Sequence, residues 1–315
     1  MGFHRMIAAA ATGLALSAAP ALAQDWPSQP IQVIVPAAAG GGTDILVRTM
    51  QTHLQDTLGG TVVVINVPGA GSIAGSRRAV DAEPDGHTVL INHVTLLTAM
   101  ALGRADFSHT DFEVAATAVE IPLVVVAPGD SPFNSLDDVM AAARDPSQTV
   151  IAGVNIGAVN HFTMLMLQAQ ADGAEFRYVQ TGGGADTTAA LLGRQIAVGV
   201  LAGSEARPVV ESGDVKVLAA MGGERVPYFP DVPTAEEQGF DARMGLEFFW
   251  LMPAGTPQDR VEAFGAAVEA AVADPGIVEA LQRMGMEPSF TSGADSAAQI
   301  AALYETLVEI AASMD

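Results

Sequence analysis

Residues Val35 to Leu46 read "VPAAAGGGTDIL" and decide the fold of this chain, because they join an apolar run to an amphipathic segment. The preceding run, "IQVIV" (31–35), has the β-branched composition of a buried strand. A glycine cluster at a strand-to-helix turn lets the backbone approach an anion at the helix N-terminus. The stretch therefore predicts a strand, an anion-binding loop and a helix. The apolar residues at helical spacing are Val47, Met50, Leu54 and Leu58.

A nucleotide is the first anion to test against this loop. A phosphate-binding P-loop places Lys and Ser or Thr after its last glycine, whereas Gly42 is followed by Thr43 and Asp44, and Asp44 would repel phosphate. A dinucleotide fingerprint requires a third glycine where this chain has Ile45, and an acid where the second strand ends in Asn66. The sequence therefore disfavours a nucleotide ligand.

The same unit recurs immediately downstream. "TVVVI" (61–65) leads into "NVPGAGSIAGSRRAV", and "TVLI" (88–91) follows the turn "EPDG". Unbroken β-branched runs separated by helices are typical of parallel strands covered on both faces. Two glycine loops on neighbouring strands place two sets of backbone N–H groups at one sheet edge, which favours a carboxylate held without a basic side chain.

A second α/β unit is expected after "FEVAATAVEIPLVVVAPGDSPF". Asn134 or Ser135 can cap a helix "LDDVMAAARD", and three strand candidates follow, "TVIAGV", "IAVGV" and "VKVLAAM". Helices are also predicted over 161–170 and 186–192. Further helix starts are predicted at Thr256-Pro257, Asp274-Pro275 and Ser292 with Asp295. With no low-complexity linker between the halves, the pattern predicts two hinged α/β lobes and a ligand cleft between them.

The charge excludes several classes of function. The chain carries 36 acidic and 14 basic residues, a formal net charge of −22, and no cysteine. Such a surface repels nucleic acid and anionic membranes, so neither is expected as a partner. Solubility or a saline medium explains the acidity, with a cationic partner or metal as the alternative.

Catalytic and metal-binding motifs are not found in the sequence. The histidines at 53, 87, 93, 109 and 161 are scattered, with no i, i+4 pair and no cluster with acids. No serine lies in G-x-S-x-G, and residues 203–206 do not form a nucleophile elbow. We therefore expect no enzyme activity, no metal and no cofactor.

An export signal is predicted at the N-terminus. Residues 1–23 place His4 and Arg5 before a short apolar core and end in Ala21-Leu22-Ala23. Cleavage after Ala23 is expected, with the mature protein outside the cytoplasm.

A set of motifs in order resembles one known family. They are "PIQVIVPAAAGGGTD", "VVVINVPGAGSIAG", "EPDGHTVL", "GVNIGAVNHF", "TGGGADTTAALLGRQI", "DVPTAEEQGF" and "MPAGTP". Together they resemble the extracytoplasmic solute receptors of tripartite tricarboxylate transporters, the Bug family, from about Trp26 to the C-terminus.

The resemblance implies a two-lobed Venus-flytrap protein of the periplasmic-binding-protein fold, each lobe a mainly parallel sheet flanked by helices. Lobe 1 would comprise 24–123 and 249–315, and lobe 2 would comprise 124–248. A monomer would close on a small organic acid and deliver it to membrane permease subunits. Signalling to a membrane sensor kinase is the alternative, and an exported enzyme acting on a carboxylate is a third.

The resemblance also assigns ligand contacts to loops of both lobes. In lobe 1 these are Ala39, Gly40, Gly41, Gly42, Thr43, Asp44, Gly69, Ala70, Gly71, Ser72, Asn92, His93 and Thr95. From the facing lobe and the hinge come Gly157, Ala158, Val159, Asn160, His161, Gly183, Gly184 and Phe248.

The chain departs from the family pattern at three places. Alanines 37–39 replace a phenylalanine and prolines, which predicts a roomier first loop. Residues 158–160, Ala-Val-Asn, replace small hydroxyl residues, which predicts a less polar distal half of the ligand. Ala197 or Leu201 stands at a commonly acidic position, which argues against a ligand amine.

Overall fold

The computed structural model describes residues 26–312 and residue 314, so the predicted export signal lies outside the described residues. Within that range the chain forms ten strands and ten α-helices. The strands are β1 (Ile31–Val35), β2 (Val62–Asn66), β3 (Thr88–His93), β4 (Phe112–Pro128), β5 (Val150–Val154), β6 (Phe176–Gln180), β7 (Val198–Ala202), β8 (Val215–Ala220), β9 (Gly245–Pro253) and β10 (Glu287–Ser292). The helices are α1 (Gly42–Leu58), α2 (Ile73–Val80), α3 (Thr95–Ala101), α4 (Leu136–Arg144), α5 (Val159–Ala169), α6 (Gly184–Leu192), α7 (Gly203–Glu211), α8 (Gln258–Ala273), α9 (Pro275–Arg283) and α10 (Gly293–Ala312).

The strands form two sheets that share β4. In the first sheet β1 lies parallel between β2 and β3, and β9 joins β3 to β4 with antiparallel pairing on both sides. In the second sheet β5 lies parallel between β6 and β7, and β7 and β8 pair antiparallel with β4. The predicted α/β class is confirmed. Antiparallel β4, β8, β9 and β10 supplement the parallel strands where the sheets meet.

β4 passes from one sheet to the other without interruption. Its residues up to Pro122 pair with β9, and those from Leu123 onward pair with β7 and β8. The register slips between Thr117 and Glu120, and there Val119 takes a φ of 69°, a strained value for a β-branched residue. The change of partner strand between Pro122 and Leu123 lies close to the predicted lobe boundary between residues 123 and 124, and the lobe boundaries themselves stay a prediction.

The first unit follows directly from its sequence pattern. β1 is buried except at Gln32, and α1 buries the apolar face predicted from helical spacing, including Val47, Met50 and Leu54. Gly59 ends α1 in the left-handed conformation that glycine adopts without strain. Strand and helix thus bury their apolar faces against each other, which fixes the glycine loop between them.

Several predicted helix boundaries are confirmed, and one differs. Ser135 Oγ accepts a hydrogen bond from Asp138 N at the start of α4, and Asp274 accepts from Gly276 N and Ile277 N at the start of α9. Thr256 does not cap α8, because its hydroxyl donates to Pro253 O instead and the helix begins after Pro257.

Several elements were not predicted from the sequence, among them β6, α7 and β10. β6 is half-exposed and contains Arg177, so it lacks the apolar run of a buried strand. α7 contains Pro208, and β10 alternates weakly in burial. Each is stabilised by neighbours distant in sequence rather than by a local pattern.

Apolar packing is continuous across the two sheets. One buried cluster includes Leu97 of α3, Phe162 of α5 and Leu307 of α10. The C-terminal helix therefore packs against elements of both halves.

None of the helices in the described range is long and apolar enough to span a bilayer.

Candidate functional site

The first glycine loop leaves the N-terminus of α1 open. Gly41 is the N-cap, and among the described residues no side chain caps the helix. The first backbone amide with a helical acceptor is that of Ile45, which donates to Gly41 O. The N–H groups of Gly42, Thr43 and Asp44 are therefore available at the positive end of a 17-residue helix.

Asp44 holds this loop in shape. Its carboxylate is 2% exposed and accepts from Gly40 N at 2.8 Å, Arg48 Nε at 3.0 Å and Asn66 Nδ2 at 3.0 Å. The hydrogen bond from Arg48, with those from Gly40 and Asn66, lowers the pKa of Asp44 to about 2 against the opposing effect of burial. Asn66 Nδ2 also donates to Ala37 O, so this cluster joins the loops after β1 and β2. The side chain of Asp44 thus binds the loop itself.

The second loop is backbone-strained. Ala70, Gly71 and Ser72 take φ values of 48°, 64° and 80°, three successive left-handed residues before α2. Each non-glycine residue in that conformation costs about 1–2 kcal/mol. A Cβ at Gly71 would meet no atom within 4 Å, so this residue borders open space. Ser72 Oγ is buried and has no hydrogen-bond partner within the described structure. Such strain is typical of ligand-binding turns.

The third loop is tied to the second by buried polar groups. Asn92 Nδ2 donates to Ser76 Oγ at 2.9 Å, and Ser76 Oγ donates to Ser72 O at 3.0 Å. Asn92 Oδ1 accepts from His93 N, so the amide is used on both sides. Asn92 is therefore a positioning residue that links the second and third loops.

His93 presents a neutral donor. Its Nδ1 accepts from Thr95 N at 3.4 Å, which assigns the ring proton to Nε2. Burial lowers the pKa of His93 to about 4, so the ring carries no charge at neutral pH. The buried Phe248 ring packs edge-to-face against the imidazole, with 5.4 Å between the two ring centroids, and fixes the imidazole orientation.

Strand register brings these groups to one edge. Val35 lies opposite Asn66 and Ile34 opposite Leu90 in the parallel pairs, so all three loops leave the same side of the first sheet. His93 lies opposite Phe248 of β9. The structure thus gathers the predicted lobe 1 residues and Phe248 along this edge.

The loop after β5 uses its own N–H groups. Asn155 N donates to Asn160 Oδ1, and Ile156 N donates to Gln180 Oε1 at 2.8 Å. Gly157 N donates to His161 Nδ1 at 3.2 Å. The predicted residues Asn160 and His161 therefore shape this loop, and a ligand can still reach Asn160 Nδ2 and His161 Nε2. Gln180, from the neighbouring strand β6, was not predicted from the sequence.

His161 is neutral for the same reason as His93. It is 5% exposed, and burial lowers its pKa. Tyr178 packs edge-on against the ring at 4.7 Å. Because Nδ1 is an acceptor, Nε2 carries the proton and can donate to an anion.

The Gly182–Gly184 loop is acidic. Gly183 is the N-cap of α6, and a Cβ at Gly184 would overlap the Glu205 carboxylate. Asp186 lies equally close to Gly182. These carboxylates make the loop less favourable for an anion than the loops of the first sheet. Glu205 was missed because its contact with Gly184 joins elements separated by β7.

Metal binding finds no support in the described part of the chain, where no group of three or more His, Cys, Asp or Glu could hold an ion.

Residues 46–308 match the family described as "Tripartite tricarboxylate transporter family receptor". The chain belongs to this receptor family. As a tripartite tricarboxylate transporter receptor it is a solute-binding protein and not an enzyme, in agreement with the resemblance found in its sequence.

Two curated relatives of this receptor cover most of its length. One is the UPF0065 protein in the tcbD-tcbE intergenic region of Pseudomonas sp. strain P51, 30% identical over 91% of this chain and 87% of the relative. Protein BugT of Bordetella pertussis is 29% identical over 86% and 85% of the two chains.

Two solved structures share the fold of this receptor. A TctC solute-binding protein from Polaromonas, without ligand, superposes with a TM-score of 0.84 at 27% identity, over 90% of this chain and 98% of that one. MatC from Rhodopseudomonas palustris with bound malate gives 0.69 at 25% identity, over 91% and 100%. The predicted periplasmic-binding-protein fold is confirmed.

Proposed function

We propose that this receptor captures a small organic carboxylate between two lobes in the periplasm and delivers it to the permease subunits of a tripartite tricarboxylate transporter. The observation that carries the proposal is the uncapped N-terminus of α1, held open by Asp44 beside the strained turn 70–72. The family match and the malate bound to MatC support a carboxylate as the ligand.

Binding strength follows from the number of free donors. Three amides of α1 and the Nε2–H of His93 lie along one sheet edge. A hydrogen bond to a charged group contributes about 1.5–3 kcal/mol, so four of them account for a dissociation constant in the micromolar range, which corresponds to about 8 kcal/mol.

Two exposed apolar residues define the rest of the ligand. Ile45 in the first turn of α1 is 41% exposed, and Ile156 in the loop after β5 is 51% exposed. Ile45 directly follows the first glycine loop and Ile156 belongs to the loop after β5, and both loops border the proposed cleft. A mono- or dicarboxylate with an apolar body would bury these side chains when lobe 1 (24–123 and 249–315) closes on lobe 2 (124–248). Closure requires that the ligand contact both lobes.

Calorimetric titration with a panel of organic acids tests the proposal, using Gly71→Ala as the site variant and Gly213→Ala as its control. Both glycines have a positive φ, 64° and 80°, and at both an added Cβ meets open space. The backbone strain is therefore matched, while only Gly71 borders the site. We expect Gly71→Ala to weaken binding at least tenfold and Gly213→Ala to leave it unchanged. The proposal fails if no acid binds, or if the two variants behave alike.

Delivery and export are tested separately. The mature protein is expected to begin at Gln24 and to be a monomer, which mass spectrometry and light scattering of periplasmic material will show. Loss of ligand uptake on deletion of the receptor gene supports transport. Unchanged uptake with loss of ligand-induced transcription would instead support the sensor-kinase role.

A further inference from the structure

Arg104 lies against the ligand loop of the opposite half of the molecule. It follows α3, which leaves the ligand edge of the first sheet, yet its guanidinium covers Gly157 in the loop after β5 of the second sheet. A Cβ at Gly157 would lie 2.7 Å from Arg104 Nη2 and 3.1 Å from Leu102 Cδ1. The φ of 78° favours glycine at this position, and the backbone of this loop lies directly against a cationic side chain.

The charge of Arg104 has no acidic partner among the described residues. Most described arginines do have one, for example Arg48 with Asp44 and Arg194 with Asp130. In a chain with a net charge of −22, Arg104 belongs to the minority of described arginines without an ion pair. It remains exposed and free to bind an anion.

The surroundings of Arg104 add to the positive potential. The guanidinium lies close to the N-terminus of α5, where Ala158 is the N-cap and no described side chain caps the helix. A cation at the positive end of a helix is unfavourable unless an anion lies between them. Asn160 Oδ1 and His161 Nδ1 accept from the loop amides, which leaves Asn160 Nδ2 and His161 Nε2 as neutral donors. His161 is 95% buried, and its Nε2 has no partner among the described residues. An anion at this point would contact Arg104 and these donors together.

We infer that Arg104 binds a second carboxylate of the ligand, so that the receptor selects dicarboxylates over monocarboxylates. This inference rests on the proposed function, because the first carboxylate is the one held at α1. Arg104 can hold the second in the bidentate geometry that guanidinium and carboxylate share. This assignment reverses the sequence-based expectation that the distal half of the ligand is less polar. The distal carboxylate would instead be matched by Arg104, which follows α3 of the first sheet.

Titration of matched ligand pairs tests the assignment. The probes are unbranched dicarboxylates of four to six carbons and the monocarboxylates of equal length, with Arg104→Gln as the test variant. The control is Arg78→Gln on α2, another exposed arginine without an acidic partner in the described structure. We expect Arg104→Gln to weaken dicarboxylate binding at least tenfold and to leave monocarboxylate binding within twofold. Arg78→Gln should change neither.

The outcomes separate this inference from the proposed function. If the unaltered receptor binds monocarboxylates as tightly as dicarboxylates, the function stands and the role of Arg104 is refuted. Equal losses for both ligand classes in Arg104→Gln would assign the side chain to lobe packing alone, which also refutes it. If no carboxylate binds at all, both proposals fall.

Discussion

Glu120 is expected to make this protein less stable as the pH rises through neutrality. It lies on β4 directly opposite Glu247 of β9 and Glu287 of β10. Its Oε1 is buried without a hydrogen-bond partner in the described structure, and lies against Gly245. Burial, followed by repulsion from Glu247, raises the pKa of Glu120 to about 7 despite the nearby Arg243.

The sign and size of the effect follow from the two pKa values. The folded protein keeps the proton up to about pH 7, whereas an unfolded chain releases it near 4.5. The folded state is therefore favoured fully below about pH 4.5, and this stabilisation is lost as the pH rises to about 7. At ~1.4 kcal/mol per pH unit the loss is about 3 kcal/mol, an upper value because Glu120 is partly accessible.

Urea unfolding between pH 5 and pH 8.5 measures this loss. With a slope of ~3 kcal/mol per molar, the midpoint of the unaltered protein should fall by up to about 1 M across the range relative to that of Glu120→Gln. The opposing gain in stability from His93, whose pKa is lowered to about 4 in the folded protein, is common to both proteins. Glu120→Gln keeps the shape without the titration of this side chain, so its pH profile should lack this fall, and the exposed Glu269→Gln should follow the unaltered protein. Parallel pH profiles for the unaltered protein and Glu120→Gln would refute the reasoning.

Three further results are expected. Affinity for a fully ionised carboxylate should stay constant in titrations between pH 5.5 and 8, because the pKa values of Asp44 and His93, about 2 and about 4, lie below that range; a pH-dependent affinity there would contradict neutral-donor binding. Ser135→Ala should lower the free energy of unfolding by about 1 kcal/mol through loss of a helix cap, and an unchanged urea midpoint would contradict the capping role. Gly245→Ala places a methyl group against the Glu120 carboxylate and should destabilise by about 1–3 kcal/mol, measured by the same unfolding experiment; full stability would show that Glu120 can move aside.

The sequence predicted the parts of the fold that depend on local pattern. β1, the glycine loop and α1 follow from an apolar run, a turn and helical spacing, and the caps Ser135 and Asp274 from residue type. β6 was missed because its stability comes from the register with β5 rather than from apolar residues of its own.

The candidate site was predictable in position but not in detail. Strands of a parallel sheet end at one edge, so the predicted loops were expected to meet. Which loop amides remain free depends on side chains such as Gln180, 24 residues from its partner Ile156, and Asn66, 22 residues from Asp44. Sequence spacing carries no information about such pairs, and the same holds for Arg104 beside Gly157.

The shared strand β4 imposes an order on folding. The second sheet is built from one continuous segment, β4 to β8, and can complete its pairing once residue 220 is available. The first sheet cannot, because β3 lacks its neighbour β9 until residues 245–253 follow. During synthesis from the N-terminus the chain therefore has an open, apolar sheet edge at β3 until β9 has been made. Unpaired edges of this kind promote aggregation. Fragments that end before β9 are thus expected to need a chaperone, although the three loops that follow β1, β2 and β3 at the ligand edge are already encoded in them.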